Sequence, residues 1–537
     1  MNHHSKPRTR HAAIALTAAL AVVLTGCSPS TGTTEPDSSA DAILTVGIQK
    51  PTSLLPGNSS GLFANTVVGA LFDGLVDYDP ETGETRNLVA ASIETTDQKV
   101  WHIEIEEGWT FHNGEPVDAE SFARAWNAAV DPDNAWVQAD QFSNIAGFDE
   151  VAPAEGEPTA ETLSGVVVED ATHLTVTLST PNSQFPFLLG RSYYSPLPQA
   201  ALDDLEGFAA QPIGNGPYEM TEPWTGGDQI VTATYADYTG VAPSNGGVTF
   251  RIYTGNDVAY TDYQAGTVDI VTLNPADIPE AEASYPGLVK RSATDDWRNY
   301  LSLPTYLPGY DNPDIRRALS MAVDRQAIID SLLDGEAHVA TDYDIPVSIG
   351  YRDSACGDAC TFDPDAARAL WDAAGGIDGE LVITSVTGTG REVWAEAIAN
   401  QWAETFGVDV TVKQVASENT WSGILGKEVQ SPVALGAPAN YPSPLDTLGP
   451  SYSAAGSVNG SFYANPDFDA LLQEAAAAGD QDEQLDLYGQ AKDLLIEDTA
   501  SILLWTYAST YVVSERASGY VPDSFNKGEF GSVTLTQ

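Results

Sequence analysis

Strand-like and helix-like segments alternate along almost the entire chain, which limits the folds open to it more than any other property. Residues 43–48 and 502–507 are short apolar runs of strand length, and residues 100–105 alternate strictly between apolar and polar side chains. Segments with apolar residues at helical spacing lie between these runs. An all-β sandwich or barrel would lack such helices, so the pattern predicts α/β lobes.

Four of the predicted helices carry recognisable start signals. The capping residues are Asp118, Asn312 before Pro313, Asp363 before Pro364 and Asn465 before Pro466. Gly375 and Gly376 are expected to end the third of these helices. A further helix over residues 485–497 leads into the strand at 502–507, and residues 151–162 have the composition of a surface loop.

The first 26 residues have the pattern of an export signal. Three basic residues precede an apolar run at 12–24, which is of signal-peptide length and shorter than the roughly 20 residues needed to span a bilayer. The run ends in Leu24-Thr25-Gly26-Cys27, which resembles a bacterial lipobox. We therefore predict a signal peptide over residues 1–26, with cleavage before Cys27 and lipidation of its thiol. An ordinary signal peptide with a chance cysteine is the alternative.

The residues that follow Cys27 are small and polar. Such a stretch does not fold by itself, so residues 27–41 are predicted to be a flexible tether behind the lipidated cysteine. Stable anchoring requires two or more acyl chains, which a lipidated Cys27 would carry. Because no second apolar stretch approaches spanning length, the mature protein is expected at the outer face of the cytoplasmic membrane, held by its lipid.

The chain is strongly acidic, with 23 Lys and Arg against 76 Asp and Glu and a net charge of −53. The predicted signal holds three of the basic residues and no acidic ones, so its removal leaves 20 against 76, or −56. Phosphates would be repelled, which excludes nucleic acid as a natural partner. Two interpretations stay open: a solubilising, salt-adapted surface, or a negative field that attracts cationic ligands.

The chain has three cysteines, of which two lie close together. Cys356 and Cys360 flank a short glycine-containing loop, and outside the reducing cytoplasm this spacing predicts a local disulfide. Two thiols without a nearby histidine pair do not favour zinc. We predict neither a metal nor a cofactor.

One motif is compatible with an enzyme. Residues 57–61 read Gly-Asn-Ser-Ser-Gly and fit the G-x-S-x-G nucleophile elbow of hydrolases. That motif must follow a strand directly, whereas Pro51 and Pro56 intervene here. No P-loop, HExxH or dinucleotide-binding fingerprint is present. We therefore predict a protein without catalytic activity.

Six motifs in a fixed order carry a family resemblance. They lie at residues 70–75, 109–117, 213–218, 263–270, 315–325 and 363–375. In this order they resemble the family 5, peptide-type solute-binding proteins of oligopeptide and dipeptide ABC importers, over about residues 42–515. No single motif is specific, but the ordered set is. The glycines within 213–218 are expected to permit a tight turn.

The resemblance implies a fold: a two-lobed, periplasmic-binding-protein-like clamp of class II type with an additional inserted domain. Lobe I would be discontinuous, and the expected boundaries are 42–75, 208–295 and 511–537 for lobe I, 76–207 for the inserted domain and 296–510 for lobe II. Ligand would lie between the lobes and hold them shut.

The resemblance also implies a function. A monomer would capture a solute, a peptide in the main interpretation, and deliver it to the permease subunits of an ABC importer. A receptor of the same fold for an oligosaccharide, a siderophore-like compound or a metal chelate remains the alternative. A surface adhesin would show internal repeats, and none is found.

The most informative candidate site residue is Asn440. In the peptide binders a matching Ala-Asp-Tyr stretch supplies an aspartate that holds the ammonium of the peptide, and here the stretch reads Ala439-Asn440-Tyr441. An ion pair at about 4 Å contributes up to ~4 kcal/mol at an effective dielectric near 20. A neutral acceptor contributes only ~0.5–1.5 kcal/mol. Asn440 is predicted to contact ligand, with a plain turn residue as the alternative.

Several further residues are predicted to line the cleft. Ala439 and Tyr441 flank Asn440, and Trp421 corresponds in position to a pocket tryptophan of the peptide binders. Ser53 and Leu54 follow the first strand, where the loop of the family meets the ligand backbone. Trp297 and Tyr300 are weaker candidates, because aromatic residues at these positions also suit core packing.

Overall fold

The structure is a computed structural model and describes residues 40–80, 82–387, 389–416, 420–525 and 528–536. The predicted signal peptide, Cys27 and almost all of the tether lie outside the described residues. The described residues all belong to one compact unit.

The strands are β1 (Ile43–Gln49), β2 (Val76–Tyr78), β3 (Thr85–Asn87), β4 (Ala90–Thr95), β5 (Val100–Ile105), β6 (Val166–Val168), β7 (His173–Thr177), β8 (Tyr218–Met220), β9 (Gln229–Thr234), β10 (Gly247–Tyr253), β11 (Ile270–Thr272), β12 (Val289–Arg291), β13 (Trp297–Ser302), β14 (His338–Val339), β15 (Leu381–Val386), β16 (Val410–Val415), β17 (Val433–Pro438), β18 (Ser501–Tyr507), β19 (Thr510–Val513), β20 (Ala517–Ser518) and β21 (Thr534–Leu535).

The α-helices are α1 (Leu62–Leu71), α2 (Ala119–Val130), α3 (Phe148–Val151), α4 (Phe185–Leu188), α5 (Gln199–Asp203), α6 (Leu205–Ala210), α7 (Asn256–Gln264), α8 (Ile278–Ser284), α9 (Pro313–Met321), α10 (Arg325–Leu332), α11 (Pro364–Ala374), α12 (Arg391–Phe406), α13 (Thr420–Leu425), α14 (Pro444–Tyr452), α15 (Pro466–Ala477) and α16 (Gln481–Asp498).

Three larger sheets organise the described chain. A seven-stranded sheet has the order β12-β19-β11-β1-β10-β9-β8, and a six-stranded sheet has the order β14-β18-β13-β17-β15-β16. A four-stranded antiparallel sheet, β4-β5-β7-β6, is built from residues 90–177. The first sheet draws its strands from three separate stretches of sequence. The expected α/β clamp with an inserted domain agrees with this arrangement, while its exact boundaries stay a prediction.

The predicted local structure is confirmed at most marked positions. β5 spans the predicted alternating segment, and its side chains alternate between buried and exposed. The caps act as expected, since Asp118, Asn312, Asp363 and Asn465 each accept a backbone N–H in the first turn of their helices. Helix α16 is longer than predicted and begins at Gln481, capped by Asp480.

Gly214 and Gly216 serve close packing. A Cβ atom on Gly214 would lie 1.8 Å from the carbonyl oxygen of Leu71, and one on Gly216 would lie 2.7 Å from the Leu71 carbonyl carbon. Neither glycine has a positive φ. Between them, the Asn215 side chain bonds to both the N–H and the C=O of Asp73, at 3.1 and 3.0 Å. The glycines therefore let two backbone segments meet, and the left-handed conformation of a tight turn is not their role.

The chain passes between the seven-stranded and six-stranded sheets at two adjacent places. One passage links β12 to β13 and the other links β18 to β19. Asp296 joins them, since its carboxylate accepts from the N–H of Ser509 at 2.8 Å and from the hydroxyl of Ser292 at 2.6 Å. A backbone hydrogen bond also links the two passages, since the N–H of Ser292 donates to the carbonyl of Ser509 at 3.0 Å. Bending between the sheets must therefore involve this paired crossing.

Cys356 and Cys360 form a disulfide with a Cα–Cα distance of 5.8 Å, in a short helical turn. Among the described residues, no helix is long and apolar enough to cross a membrane.

Candidate functional site

Strand β17 has an open edge at its C-terminal end. On one side it pairs with β13 along its whole length, from Ser302 opposite Val433 to Trp297 opposite Pro438. On the other side its pairing with β15 is limited to Val433 opposite Thr384. Beyond that point no described strand pairs with the edge. An open strand edge is a template for an extended peptide, which can add to it through backbone hydrogen bonds.

Asn440 lies immediately beyond this edge and bridges distant parts of the chain. Its carbonyl and side-chain oxygens accept from the two terminal nitrogens of Arg191, at 2.7 and 3.1 Å. Its N–H and side-chain amide donate to the carboxylate of Asp446, at 2.7 and 3.0 Å. Every polar group of Asn440 is therefore engaged in this state.

Asp446 places a carboxylate next to the predicted ligand contact. It lies in the first turn of α14, where Ser443 caps the helix through the N–H of Leu445. Burial raises the pKa of Asp446, and the hydrogen bonds from Asn440 and the charges of Arg191 and Arg298 act against that increase. The acidic group here thus belongs to a residue six positions after Asn440, the position that the family resemblance marks.

Aromatic side chains pack together next to Asn440. Tyr441 stacks on Phe187, with ring centroids 6.4 Å apart and planes at 20°. Tyr78 donates its hydroxyl to the Phe187 carbonyl and packs against Phe525 at 5.3 Å. Burial raises the pKa values of Tyr78 and Tyr441 well above their ordinary range, so both remain neutral donors.

The remaining predicted contacts are distributed around this centre. Ala439 is buried, and its N–H donates to the Asp296 carbonyl at 2.7 Å. Trp421 is 39% exposed, with its ring 3.5 Å from the place of a Cβ on Gly460. Leu54 is fully packed into the core, and the hydroxyl of Ser53 accepts from the Leu55 N–H. The structure brings Ala439, Asn440 and Tyr441 together, whereas Leu54 presents no side-chain surface to a cleft.

A second group of side chains surrounds Gly436 on β17. A Cβ atom there would lie 2.9 Å from both the Trp297 indole nitrogen and the Asn299 side-chain oxygen, and 3.1 Å from a terminal nitrogen of Arg391. Trp297 stacks on Tyr507 with centroids 6.1 Å apart. Glycine at 436 therefore leaves space that these polar groups fill. In the described chain, no cluster of three or more metal-ligating side chains occurs.

Comparison with known proteins assigns the family. Residues 84–459 match the model of the bacterial extracellular solute-binding proteins, family 5. The chain belongs to this family. Among curated relatives, the oligopeptide-binding protein OppA of Bacillus subtilis is 24% identical and covers 96% of this chain and 97% of its own length. The glutathione-binding protein GsiB of Salmonella typhimurium is also 24% identical, covering 90% of this chain and 93% of its own.

Solved structures agree with the family 5 fold. The murein tripeptide binding protein MppA of Escherichia coli superposes with a TM-score of 0.79 at 22% identity, over 93% of this chain and 99% of that chain. DppA from Helicobacter pylori, in complex with the peptide STSA, has a TM-score of 0.79 at 21% identity, over 92% and 98%. The predicted family membership and the predicted two-lobed fold are confirmed.

Several residues around Asn440 were not foreseen. Arg191, Phe187 and Tyr78 come from the predicted inserted domain, and nothing in their local sequence points toward Asn440. The one available signal concerned Asp446, because an acidic residue three positions after a capping serine, here Ser443, is typical of a helix start. That pattern predicts a cap and says nothing about a neighbouring ligand site.

Proposed function

We propose that this protein is the substrate-binding subunit of an ABC importer, which captures a peptide between its two lobes and delivers it to the permease. The observation that supports this proposal is the open edge of β17, which ends at Pro438, two residues before Asn440 and its contact with Arg191 of the predicted inserted domain. An extended peptide could pair with that edge, and Tyr441, Phe187 and Trp297 would border its side chains.

The relatives support a peptide over the alternative solutes. OppA of B. subtilis is named for oligopeptide binding, and the DppA structure contains a peptide. Capture needs no chemistry, because a closed state with higher affinity for ligand than the open state is a sufficient driving force. We infer further that the mature protein is a monomeric lipoprotein attached through Cys27, with Asn440, Tyr441, Ala439, Trp421 and Ser53 as candidate ligand contacts and Leu54 as a candidate through its backbone alone.

Thermal unfolding in the presence of candidate ligands tests this function. Short peptides, oligosaccharides, siderophores and metal chelates are screened in parallel, and native mass spectrometry identifies any ligand retained from the original host. A ligand at 100 times its dissociation constant should stabilise the protein by ~2.7 kcal/mol. We expect peptides to raise the melting temperature and to compact the protein in solution scattering. A shift with another solute and with no peptide would overturn the peptide assignment.

A further inference from the structure

Three guanidinium groups surround segment 436–440 at the open edge of β17. Arg191 bonds to Asn440. Arg298 lies on β13 directly opposite Ala437. A terminal nitrogen of Arg391, the first residue of α12, lies 3.1 Å from the place of a Cβ on Gly436. Such a concentration of arginine is notable in a chain with only 23 basic residues and a net charge of −53.

None of these three arginines forms an ion pair within the described residues. Arg191 donates to the two oxygens of Asn440, and its Nε is buried without a partner. Arg298 donates to the Tyr343 carbonyl and the Ser451 hydroxyl, and its Nε likewise has no described partner. Arg391 donates no hydrogen bond to any described residue, although burial is large enough to lower its pKa.

Two other buried arginines provide a comparison for the number of hydrogen bonds that a buried guanidinium makes in this protein. Arg316 makes four hydrogen bonds to backbone carbonyls, and Arg325 makes five to carbonyls and a serine hydroxyl. Buried charged groups need such saturation. Arg391 lacks it and retains donors that a ligand could use, whereas the unpaired Nε atoms of Arg191 and Arg298 are buried.

Carboxylates lie near these arginines, but none forms an ion pair with them among the described residues. The charge of Asp446 acts on both Arg191 and Arg298, and that of Glu392 acts on Arg391. Asp344 also acts on Arg298, but its own carboxylate lies 3.8 Å from the ammonium of Lys492. Three guanidinium groups therefore lie near three carboxylates, one of which is shared with Lys492, and Arg391 is the arginine whose hydrogen-bond donors stay unused.

We propose that segment 436–440 selects an acidic peptide whose amino end is uncharged, with a carboxylate of the ligand against Arg391 and the blocked end beside Asn440. This proposal rests on the proposed function. An ammonium at Asn440 would meet the guanidinium of Arg191, and like charges at close range repel each other. Both carboxylate oxygens of Asp446 already accept hydrogen bonds from Asn440. A carboxylate at Arg391 would gain paired, charge-assisted hydrogen bonds that a lysine could not provide.

Four synthetic tetrapeptides test the proposal by calorimetry on the mature protein. They contain either two glutamates or two glutamines, each with an acetylated or a free amino end. We expect the acetylated glutamate peptide to bind at least about tenfold more tightly than its free-amine form, which is ~1.4 kcal/mol, and than its glutamine form.

Substitutions test which residues cause the preference for the acetylated glutamate peptide. Arg391→Gln should weaken the acetylated glutamate peptide about tenfold without changing the glutamine peptide, and Arg391→Lys should restore part of the loss. Arg191→Gln should improve binding of free-amine peptides relative to acetylated ones. Arg368→Gln is the matched control, because Arg368 is a half-exposed arginine paired with Asp372 on α11. It should change neither ratio.

The outcomes separate this proposal from the function on which it rests. If free-amine and glutamine peptides bind as tightly as the acetylated glutamate peptide, the charge preference is overturned while peptide capture stands. If none of the four peptides binds, both are overturned. A loss at Arg391→Gln that is equal for glutamate and glutamine peptides would show a packing role and would also overturn the proposal.

Discussion

Arg191 forms two hydrogen bonds with Asn440, which lies 249 positions away in the sequence. The two terminal nitrogens of Arg191 donate to the carbonyl and side-chain oxygens of Asn440 at 2.7 and 3.1 Å. The contact joins the predicted inserted domain to the segment that follows β17. It occurs at the residue that the family resemblance marks as a ligand contact. The prediction that Asn440 contacts ligand therefore implies that ligand binding is coupled to this contact between the two parts.

The first prediction concerns this contact. Hydrogen bonds from a charged donor contribute roughly 1.5–3 kcal/mol, so Arg191→Ala should shift the ligand-free protein toward an open state. Solution X-ray scattering should show a larger radius of gyration than that of the wild type. Arg368→Ala controls for loss of an exposed arginine. An unchanged radius of gyration would mean that other contacts hold the two parts together.

A second contact between the same parts is formed by two buried amides. Gln484 donates to the Ser183 hydroxyl at 2.6 Å and accepts from Gln184 at 2.7 Å. Gln484→Ala should lower the free energy of unfolding by about 1–3 kcal/mol, because the amide of Gln184 would remain buried with its donor unpaired. Urea titration measures the change. Gln490→Ala, on the exposed face of the same helix, should have almost no effect, and similar values for the two variants would contradict the prediction.

The paired crossing should give the stability a dependence on pH. Burial raises the pKa of Asp296 to about 7, against the hydrogen bonds from Ser292 and Ser509. The folded protein thus holds this proton more tightly than the unfolded chain, whose aspartates titrate near ~3.9. Its stabilising contribution is complete below about pH 4 and is lost as the pH rises to about 7.

Asp296→Asn removes this titration, so the stability of the variant relative to the wild type should rise as the pH increases over that window. Urea unfolding at several pH values gives the difference directly. Asp344 also titrates there, since burial raises its pKa to about 6, and it is present in both proteins. A difference that stays constant with pH would contradict the role of Asp296.

A further prediction concerns the contribution of the fully buried ion pair between Lys492 and Asp342 to stability. The ammonium of Lys492 lies 2.7 Å from Asp342 and 3.8 Å from Asp344, and the three side chains are essentially inaccessible to solvent. Lys492→Met should cost roughly 3–5 kcal/mol, because it removes the buried cation from two buried carboxylates and leaves only the partly exposed Arg352, 3.8 Å from Asp342. Chemical denaturation provides the measurement, and Lys413→Met at an exposed position of β16 is the control. Equal stability of the two variants would disprove this assignment.

Membrane attachment is predicted to depend on Cys27. Without a thiol to acylate, Cys27→Ala should leave the folded protein in the soluble fraction after membranes are pelleted, with an unchanged melting temperature. Cys356→Ala with Cys360→Ala tests whether any cysteine loss has the same effect, and that variant should remain in the pellet. A Cys27→Ala protein that still pelleted with membranes would rule out the lipid anchor.

Local sequence was enough to place individual elements. The strand at residues 100–105 and the capping residues Asp118, Asn312, Asp363 and Asn465 were predicted at the positions where the structure has them. A strand alternates every two residues and a cap bonds within its own first turn, so the interactions that define them lie within a few positions. The order of six motifs was likewise sufficient for the family and its two-lobed fold.

The site depended on contacts that no local pattern contains. The sequence pointed to Asn440, but the partners that engage it are Arg191, far away in the chain, and Asp446, whose position indicates only a helix start. Gly214 was read as a turn residue, whereas its role is to let the backbone at Leu71 approach it. Local hydrogen bonding and hydrophobic periodicity are encoded over a few residues, so the sequence determined the elements. Which distant side chains meet is decided by how the sheets pack, and this only the tertiary structure could show.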